Sequence, residues 1–310
     1  MKECLVSVLV PSYNHEKYIL DCLESIKNQS YKNIELVICD DNSSDNTYVI
    51  ALEWCKKNAS VFHNYFIINN EENTGVAKNC NKMIKMCSGE YIKIIASDDI
   101  LLSSSISEMV LFGEENKEYD ILYSNGYYIP EETKYYNLNI SSYRTIYKDN
   151  YKNPKKMFDE LYKRDFIAAP TVLYRKATFE KLGLFSEKYI FEDWEYYLRT
   201  AKLGKIGYLN KKTVGYREAQ NSLSRFTNTN EGRVKYRKFT SEQRRLLNSY
   251  AEYTSISISY FLDMVIGGAM RIHDDEYIRE ILNSGEYKMR ISRLIKLLVY
   301  KTFLYEKFFN

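Results

Sequence analysis

The sequence predicts an α/β fold: a mostly parallel open sheet flanked by helices, with a helical C-terminal appendage. Three observations predict it. β-Branched apolar runs alternate with stretches of helical spacing through the first 125 residues. A polar cluster follows three of those runs, at Pro11 to Asn14, at Asp40-Asp41 and at Asp98-Asp99. From about residue 226 proline is absent and long helical patterns take over.

The elements follow in order. CLVSVLV (4–10) is a buried strand that stops at Pro-Ser-Tyr-Asn. EKYILDCLESIKNQ (16–29) places Tyr18, Ile19, Cys22, Leu23 and Ile26 at helical spacing. IELVIC (34–39) is a second strand. DNSSDNT then offers capping side chains to a helix reaching about Lys57. VFHNYFII (61–68) is a third strand, and Asn73-Thr74-Gly75 opens a helix over about 76–87. YIKIIA (91–96) is a fourth strand, followed by a helix and a strand near 120–124. Residues 125–165 read as loop with a short helix near 154–164. FIAAPTVLYRKATFEKLGLF is a strand and a short helix, and FEDWEYYLRTAKLGKIGYLNKKTVGYR is an acidic-headed helix and two short strands. The domain division expected is 1–225 for the α/β part and 226–310 for the helical region.

Composition narrows the function. The 310 residues carry 44 basic against 41 acidic side chains, a net charge of +3, too balanced for a chain that lives on nucleic acid. No run of 18 apolar residues exists, and the apolar start breaks at Pro11, too soon for a signal-peptide core. A cytoplasmic location is therefore expected. The six cysteines lie within the first 87 residues without a C-x-x-C pair, and only three histidines are present. Structural zinc is not indicated, and the thiols read as reduced and buried. The 30 tyrosines suit contact with sugars or a membrane interface, or reflect composition bias alone.

Ligands of open parallel sheets bind outside the carboxyl ends of the strands, where the three polar clusters meet. A dinucleotide fingerprint needs glycines directly after the first strand, yet the first glycine is Gly75. A Walker A lysine motif is also absent. Carboxylates remain. Asp98-Asp99 behind a buried strand suits a hard divalent cation brought by a diphosphate; a helix cap or solvated loop is the alternative. Asp41 suits hydrogen bonds from a base or a ribose.

The block VSVLVPSYNHEKYILDCLESIKNQSYKNIELVICDDNSSDNT resembles the opening of the family-2 glycosyltransferases, which have the GT-A fold. The resemblance continues through EENTGVAKNCN, GEYIKIIASDDIL, APTVLYRKATFEKLGLF and FEDWEYYLR, over roughly residues 4–225. It implies transfer of a sugar from a nucleotide diphosphate to an acceptor hydroxyl, usually with inversion and a divalent metal, Mn2+ or Mg2+. By resemblance, Pro11, Tyr13, Asn14 and Asp41, assisted by Asp40, frame the base and ribose of the donor. Asn73, Gly75 and Lys78 line its pocket. Asp98 and Asp99 match the acidic metal and donor motif. Asp193 matches the catalytic base, with Glu192 the weaker candidate; helix-start acidity is the other account of that pair.

Two departures stand out. Many members carry aspartate where this chain has Ala96, and many carry histidine in Tyr-Arg-x-His, which here reads Tyr216-Arg217-Glu218-Ala219. The metal site either does without that histidine or enlists Arg217, Glu218 or Arg225.

The implied partners are a nucleotide-diphosphate sugar, with UDP the commonest form in the family, and a glycan or lipid-linked glycan acceptor in polysaccharide or lipopolysaccharide assembly. Residues 286–310 carry six basic and two acidic side chains, with Ile291, Leu294, Leu298, Tyr305 and Phe309 at helical spacing. Such a helix either lies on the anionic inner face of the cell membrane or packs on the catalytic domain. Two other functions compete with transfer. A nucleotidyltransferase wants an early glycine-rich phosphate loop, which is missing. A scaffold subunit that kept the fold and lost activity is consistent with Ala96 and the missing histidine.

Overall fold

The computed structural model describes residues 3–147, 156–218, 226–256 and 258–284. The basic stretch 286–310, Ala219 and Arg225 lie outside these residues. The chain divides into two compact units, one of Met1–Phe158 with Asp165–Ser222, the other of Asp159–Arg164 with Leu223–Asn310.

The first unit is built on one eight-stranded sheet. Its strands are β1 (Val6–Ser12), β2 (Ile34–Asp40), β3 (Asn64–Asn69), β4 (Tyr91–Ile94), β5 (Ile100–Leu101), β6 (Ile121–Ile129), β7 (Val172–Arg175) and β8 (Ile206–Arg217). Their spatial order is β3-β2-β1-β4-β7-β6-β8-β5. From β3 to β4 every pairing is parallel. β7 runs antiparallel to both β4 and β6, β8 joins β6 in parallel, and β5 closes the edge antiparallel to β8.

Alternation along β1 and β2 explains the layering. Val6, Val8, Val10, Leu36 and Ile38 share a core with α1 (Ile19–Lys27), α2 (Thr47–Asn58) and α4 (Ser105–Glu115). α3 (Val76–Met86) packs on β1 and β2 and buries Cys80, Met83 and Ile84. α6 (Lys176–Leu182) and α7 (Glu192–Ala201) complete the set up to β8, while α5 (Met157–Lys163) lies mostly in the second unit. Tyr174, Phe179, Phe185 and Tyr196 form an aromatic cluster with ring centroids 5.0–5.9 Å apart. These tyrosines are core material, so the surface roles open to tyrosine in the sequence do not apply to them. All six cysteines are free thiols, and all but Cys4 are buried.

Several local expectations change. The late pair of short strands is one strand, β8. Its register against β6 shifts between Ser124 and Asn125 and again between Asn125 and Gly126. The polar Asn210-Lys211 pair mimics a turn in the sequence but is an exposed bulge. β6 runs on to Ile129 across residues read as loop, because Gly126 lets Val214 of β8 press against its backbone. A 3-10 turn takes Ala59–Val61, so β3 starts only at Asn64.

At the end of the sheet opposite the polar clusters, Glu35 is 2% exposed. It accepts bonds from the Ser7 hydroxyl, from the Ser88 N–H at 2.8 Å and from the Ser88 hydroxyl at 2.6 Å. Gly89 donates to Ser7 Oγ, and a Cβ there would meet the Ser7 backbone at 2.5 Å. Burial alone raises the Glu35 pKa, but the bonds from Ser7, Ser88 and Gly89 outweigh it and hold the carboxyl below its usual 4.5.

In the second unit, α8 (Asn230–Ser249), α9 (Ser259–Arg271) and α10 (Asp275–Asn283) enclose Leu246, Leu247, Phe261, Val265, Ile266, Ala269 and Ile278. Thr229 caps α8 and Asp274 caps α10. Arg237 grips Asp274 with two bonds of 2.8 and 2.6 Å. No described helix is long and apolar enough to cross a membrane.

Glu35→Gln is expected to lower the unfolding free energy by about 2–3 kcal/mol at pH 7, since it turns a bonded carboxylate into a group that opposes donors. The folded pKa lies below the unfolded one, so this stabilisation is present above pH 4.5 and fades as pH falls through the folded value. Urea melts of both chains at pH 7 and pH 3.5 check it; an undiminished gap at the lower pH contradicts the account.

Candidate functional site

Parallel pairing carries the ends of β1, β2 and β4 to one edge of the sheet, and each polar cluster begins there. Asp40 ends β2 and is 1% exposed. Its carboxylate takes Ser12 Oγ at 2.9 Å, Ser43 N at 2.8 Å and Ser43 Oγ at 2.7 Å. It ties the β1 exit to the turn that starts α2. Asn14 has a left-handed backbone, φ 54°, and its side chain accepts from Ser44 N at 2.8 Å. Pro11 sits inside β1 opposite Cys39, and Tyr13 is 44% exposed beside it.

Asp41 is more committed than the sequence implies. Its Oδ1 accepts from Asn70 Nδ2 at 2.8 Å, Thr74 N at 3.0 Å and Thr74 Oγ1 at 2.9 Å, and its Oδ2 from Gly75 N at 2.8 Å. Burial raises its pKa, yet the bonds from Thr74, Asn70 and Gly75 prevail and lower it. Asp41 therefore shapes the Asn73–Gly75 loop, and only Oδ2 keeps a lone pair for a ligand. Gly75, at φ 85°, precedes α3, and a Cβ there would meet nothing within 4 Å, so the backbone angle is what selects glycine. Asn73 and Lys78 are exposed on either side of it.

Beyond β4, His15 Nδ1 lies 2.8 Å from Ser97 Oγ and 3.9 Å from Asp98 Oδ1. Asp99 is 1% exposed. Its Oδ1 accepts the Arg217 N–H at 2.8 Å, while Oδ2 is shielded from solvent and has no hydrogen-bond partner among the described residues. Burial first, then the Asp98 charge, pushes the Asp99 pKa well up against the pull of Arg217. Lys93, fully buried in β4 and bonded to the Pro170 and Val172 carbonyls, is pushed down to about 7 by burial, with Asp99 opposing. An unpartnered buried carboxylate oxygen beside a second carboxylate fits a divalent cation. Among the described residues no three His, Cys, Asp or Glu side chains group to hold a metal. Two carboxylates completed by substrate phosphates are the arrangement hard cations of this kind accept.

Glu192 and Asp193 form the first turn of α7, both half-buried. Asp193 Oδ1 accepts from Trp194 N at 2.7 Å. The helix terminus is expected to keep Asp193 ionised, but burial wins and its pKa is raised. Burial and the Asp193 charge push Glu192 up to about 8. Asp165, which the sequence does not mark, joins them: burial, then Asp193 and Glu192, raise its pKa. Two buried groups register how the carboxylates converge. The Tyr216 hydroxyl is pushed up by burial and then by Asp99, Asp98, Tyr128 and Asp193. The Cys80 thiol is pushed up by burial and then by Glu192, Cys39, Asp193 and Asp41. His15, Asp165 and the Asn70–Thr74 support of Asp41 carry no local sequence signal, because each arrives from a separate stretch of chain.

The model of the family described as "Glycosyl transferase family 2" matches residues 7–183. An uncharacterized glycosyltransferase of Methanocaldococcus jannaschii, MJ1057, is 31% identical over 64% of this chain and 65% of its own. WfgD of Escherichia coli, a UDP-Glc:alpha-D-GlcNAc-diphosphoundecaprenol beta-1,3-glucosyltransferase, is 36% identical over 36% of this chain and 41% of its own. The chain spans less than two thirds of the first curated relatives it matches, down to 31% for the pneumococcal glycosyltransferase GlyA. Among solved structures, S. aureus TarS 1-349 in complex with UDP-GlcNAc aligns at a TM-score of 0.54 and 19% identity, over 86% of this chain and 80% of that one. The mannosyltransferase PcManGT of Pyrobaculum calidifontis, in complex with GDP-Man and Mn2+, aligns at 0.53 and 15% identity, over 96% and 88%.

Glu192→Gln is expected to gain melting temperature over the parent chain as pH rises from 4.5 to about 8. In that window the unfolded chain has lost the Glu192 proton while the folded chain still holds it, so rising pH erodes parent stability. Thermal melts from pH 4 to 9 check it; a constant offset between the two chains contradicts it.

Proposed function

The chain belongs to glycosyltransferase family 2 and has the GT-A fold, and on that premise we propose that it moves a sugar from a nucleotide-diphosphate donor to an acceptor hydroxyl, with inversion, in the assembly of a cell-surface glycan. The observation that carries this reading is that Asp98, Asp99 and Asp193 all act on Tyr216, while Asp41, Glu192 and Asp193 all act on Cys80.

The donor nucleoside lies along Pro11, Tyr13, Asn14 and the Asn73–Lys78 loop. Asp41 offers it the free lone pair of Oδ2, and Asp40 keeps the β1 exit in place. Asp98 and Asp99 would hold a divalent cation, Mn2+ or Mg2+, which would supply charge stabilisation to the departing diphosphate. The acceptor oxygen attacks the anomeric carbon from the face opposite the diphosphate. Its proton passes to the Asp193 carboxylate as the bond to the phosphate oxygen breaks and the nucleoside diphosphate leaves. Burial raises the proton affinity of that carboxylate, which favours a base over a spectator. UDP is the nucleotide of the reading, since TarS binds UDP-GlcNAc and WfgD uses UDP-Glc.

Two substitutions separate the roles. Asp193→Asn keeps UDP binding near normal and drops turnover by about 10²–10⁴-fold. Asp99→Asn weakens UDP binding in Mn2+ and leaves binding in chelator unchanged. Calorimetry with and without Mn2+, and release of nucleoside diphosphate from a panel of nucleotide sugars, read both. Parent-like turnover of Asp193→Asn removes the base from this position.

A lipid-linked acceptor, as in the name of WfgD, places the chain at an anionic membrane through its basic segment 286–310. Flotation of the full chain with vesicles containing phosphatidylglycerol, lost on deleting 286–310, is the expected result. Equal flotation of both chains rejects it.

A further inference from the structure

Arg217 ends β8 and is 3% exposed, a buried guanidinium without a carboxylate partner in hydrogen-bonding contact. Its bonds go elsewhere. The main-chain N–H takes Asp99 Oδ1 at 2.8 Å. Nε donates to the Asp98 carbonyl at 2.6 Å. Nη1 donates to the Glu131 and Thr133 carbonyls, both at 2.7 Å. The guanidinium lies over the Tyr18 ring, 4.9 Å from its centroid, and the Tyr18 hydroxyl donates to Glu131 Oε1 at 2.7 Å. The same segment is anchored again to α1, where Lys134 Nζ reaches Asp21 at 3.1 Å and Tyr135 N donates to Asp21 Oδ1 at 2.8 Å.

One arginine thus joins three chain segments, the Asp98-Asp99 turn, the 130–133 turn and the end of β8. Two polar atoms in this knot are buried without partners among the described residues, Asp99 Oδ2 and Arg217 Nη2. One is an acceptor and the other a donor, and folded proteins rarely leave such groups unmatched. Everything else about the two residues is committed, so these atoms are what the knot leaves for a ligand.

We propose that Arg217 is the positioning residue of the cation site: it occupies Asp99 Oδ1 and the Asp98 carbonyl from behind, so that Asp99 offers a metal–diphosphate Oδ2 alone, and it ties that presentation to the docked 130–135 segment. The proposal rests on the metal-dependent donor binding of the previous subsection. It also answers what stands in for the histidine missing from Tyr-Arg-x-His. Arg217 is a protonated guanidinium with no lone pair to give, so it does not replace a metal ligand; it fixes the ligand that remains. Lysine cannot take its place, because one ammonium does not span the Asp98, Glu131 and Thr133 carbonyls that a planar fork reaches.

The test is UDP binding by calorimetry, in Mn2+ and in chelator, with Arg217→Lys, Asp99→Asn and the double variant. Arg217→Lys is expected to weaken binding in Mn2+ by at least about tenfold, the coupling seen between contacting residues, and to leave binding in chelator unchanged. In the Asp99→Asn background the lysine should add no further loss. A loss that is equal with and without Mn2+, or that is undiminished in the Asn background, overturns the role. Amide exchange of the parent chain gives a reading that needs no variant to fold: Mn2+ with UDP should slow exchange across 130–135 relative to UDP alone, and unchanged exchange there overturns the coupling. A parent chain whose UDP binding ignores Mn2+ fails the metal reading itself. Metal-dependent parent binding with an unaffected lysine variant fails only Arg217.

Discussion

Parallel pairing of β1 with β2 on one side and β4 on the other is the constraint on which the first unit depends. Strands that run the same way end at the same edge, so whatever follows Ser12, Asp40 and Ile94 must gather there. The chain places polar side chains at or shortly beyond each of those ends, at Ser12 to Asn14, Asp40-Asp41 and Ser97 to Asp99. The antiparallel entry of β7 and the return through β8 then deliver Arg217 to the same edge from the far end of the domain.

Carboxylates at this sheet fall into two classes by what their oxygens touch. Glu35 and Asp41 are buried and wrapped in donors, and their pKa values fall despite burial. Asp40 is likewise bonded at both oxygens. Such groups are spent on holding loops and turns. Asp99, Glu192 and Asp193 are raised by burial, with Asp98 adding to Asp99 and Asp193 adding to Glu192, and few donors offset it. Those groups keep unsatisfied capacity for a cation or a proton. In Asp41 the bonds to Asn70, Thr74 and Gly75 leave one lone pair, on Oδ2.

Much of the fold is legible in the sequence because apolar periodicity and strand-ending polar residues are local signals. Ile34–Asp40 and Val76–Met86 follow the pattern closely. Failures arise where a distant partner overrides the local signal. Asn210-Lys211 looks like a turn because both residues are polar, yet β6 holds the strand on either side of it. The candidate site shows the same limit. Asp98-Asp99 and Glu192-Asp193 stand out as adjacent pairs, whereas Asp165 and His15 gain meaning only from what folding brings beside them. Arg217 is visible as part of a motif, but its bonds to Asp98, Glu131 and Thr133 join residues more than 80 positions away in the chain.

The serine–glutamate cluster at the opposite rim has an evolutionary corollary. Ser7, Glu35, Ser88 and Gly89 satisfy one another without drawing on any loop at the ligand edge. Strand anchoring and the polar rim are thus lodged at separate ends of the same strands, so substitutions can accumulate at the rim without loosening this foundation.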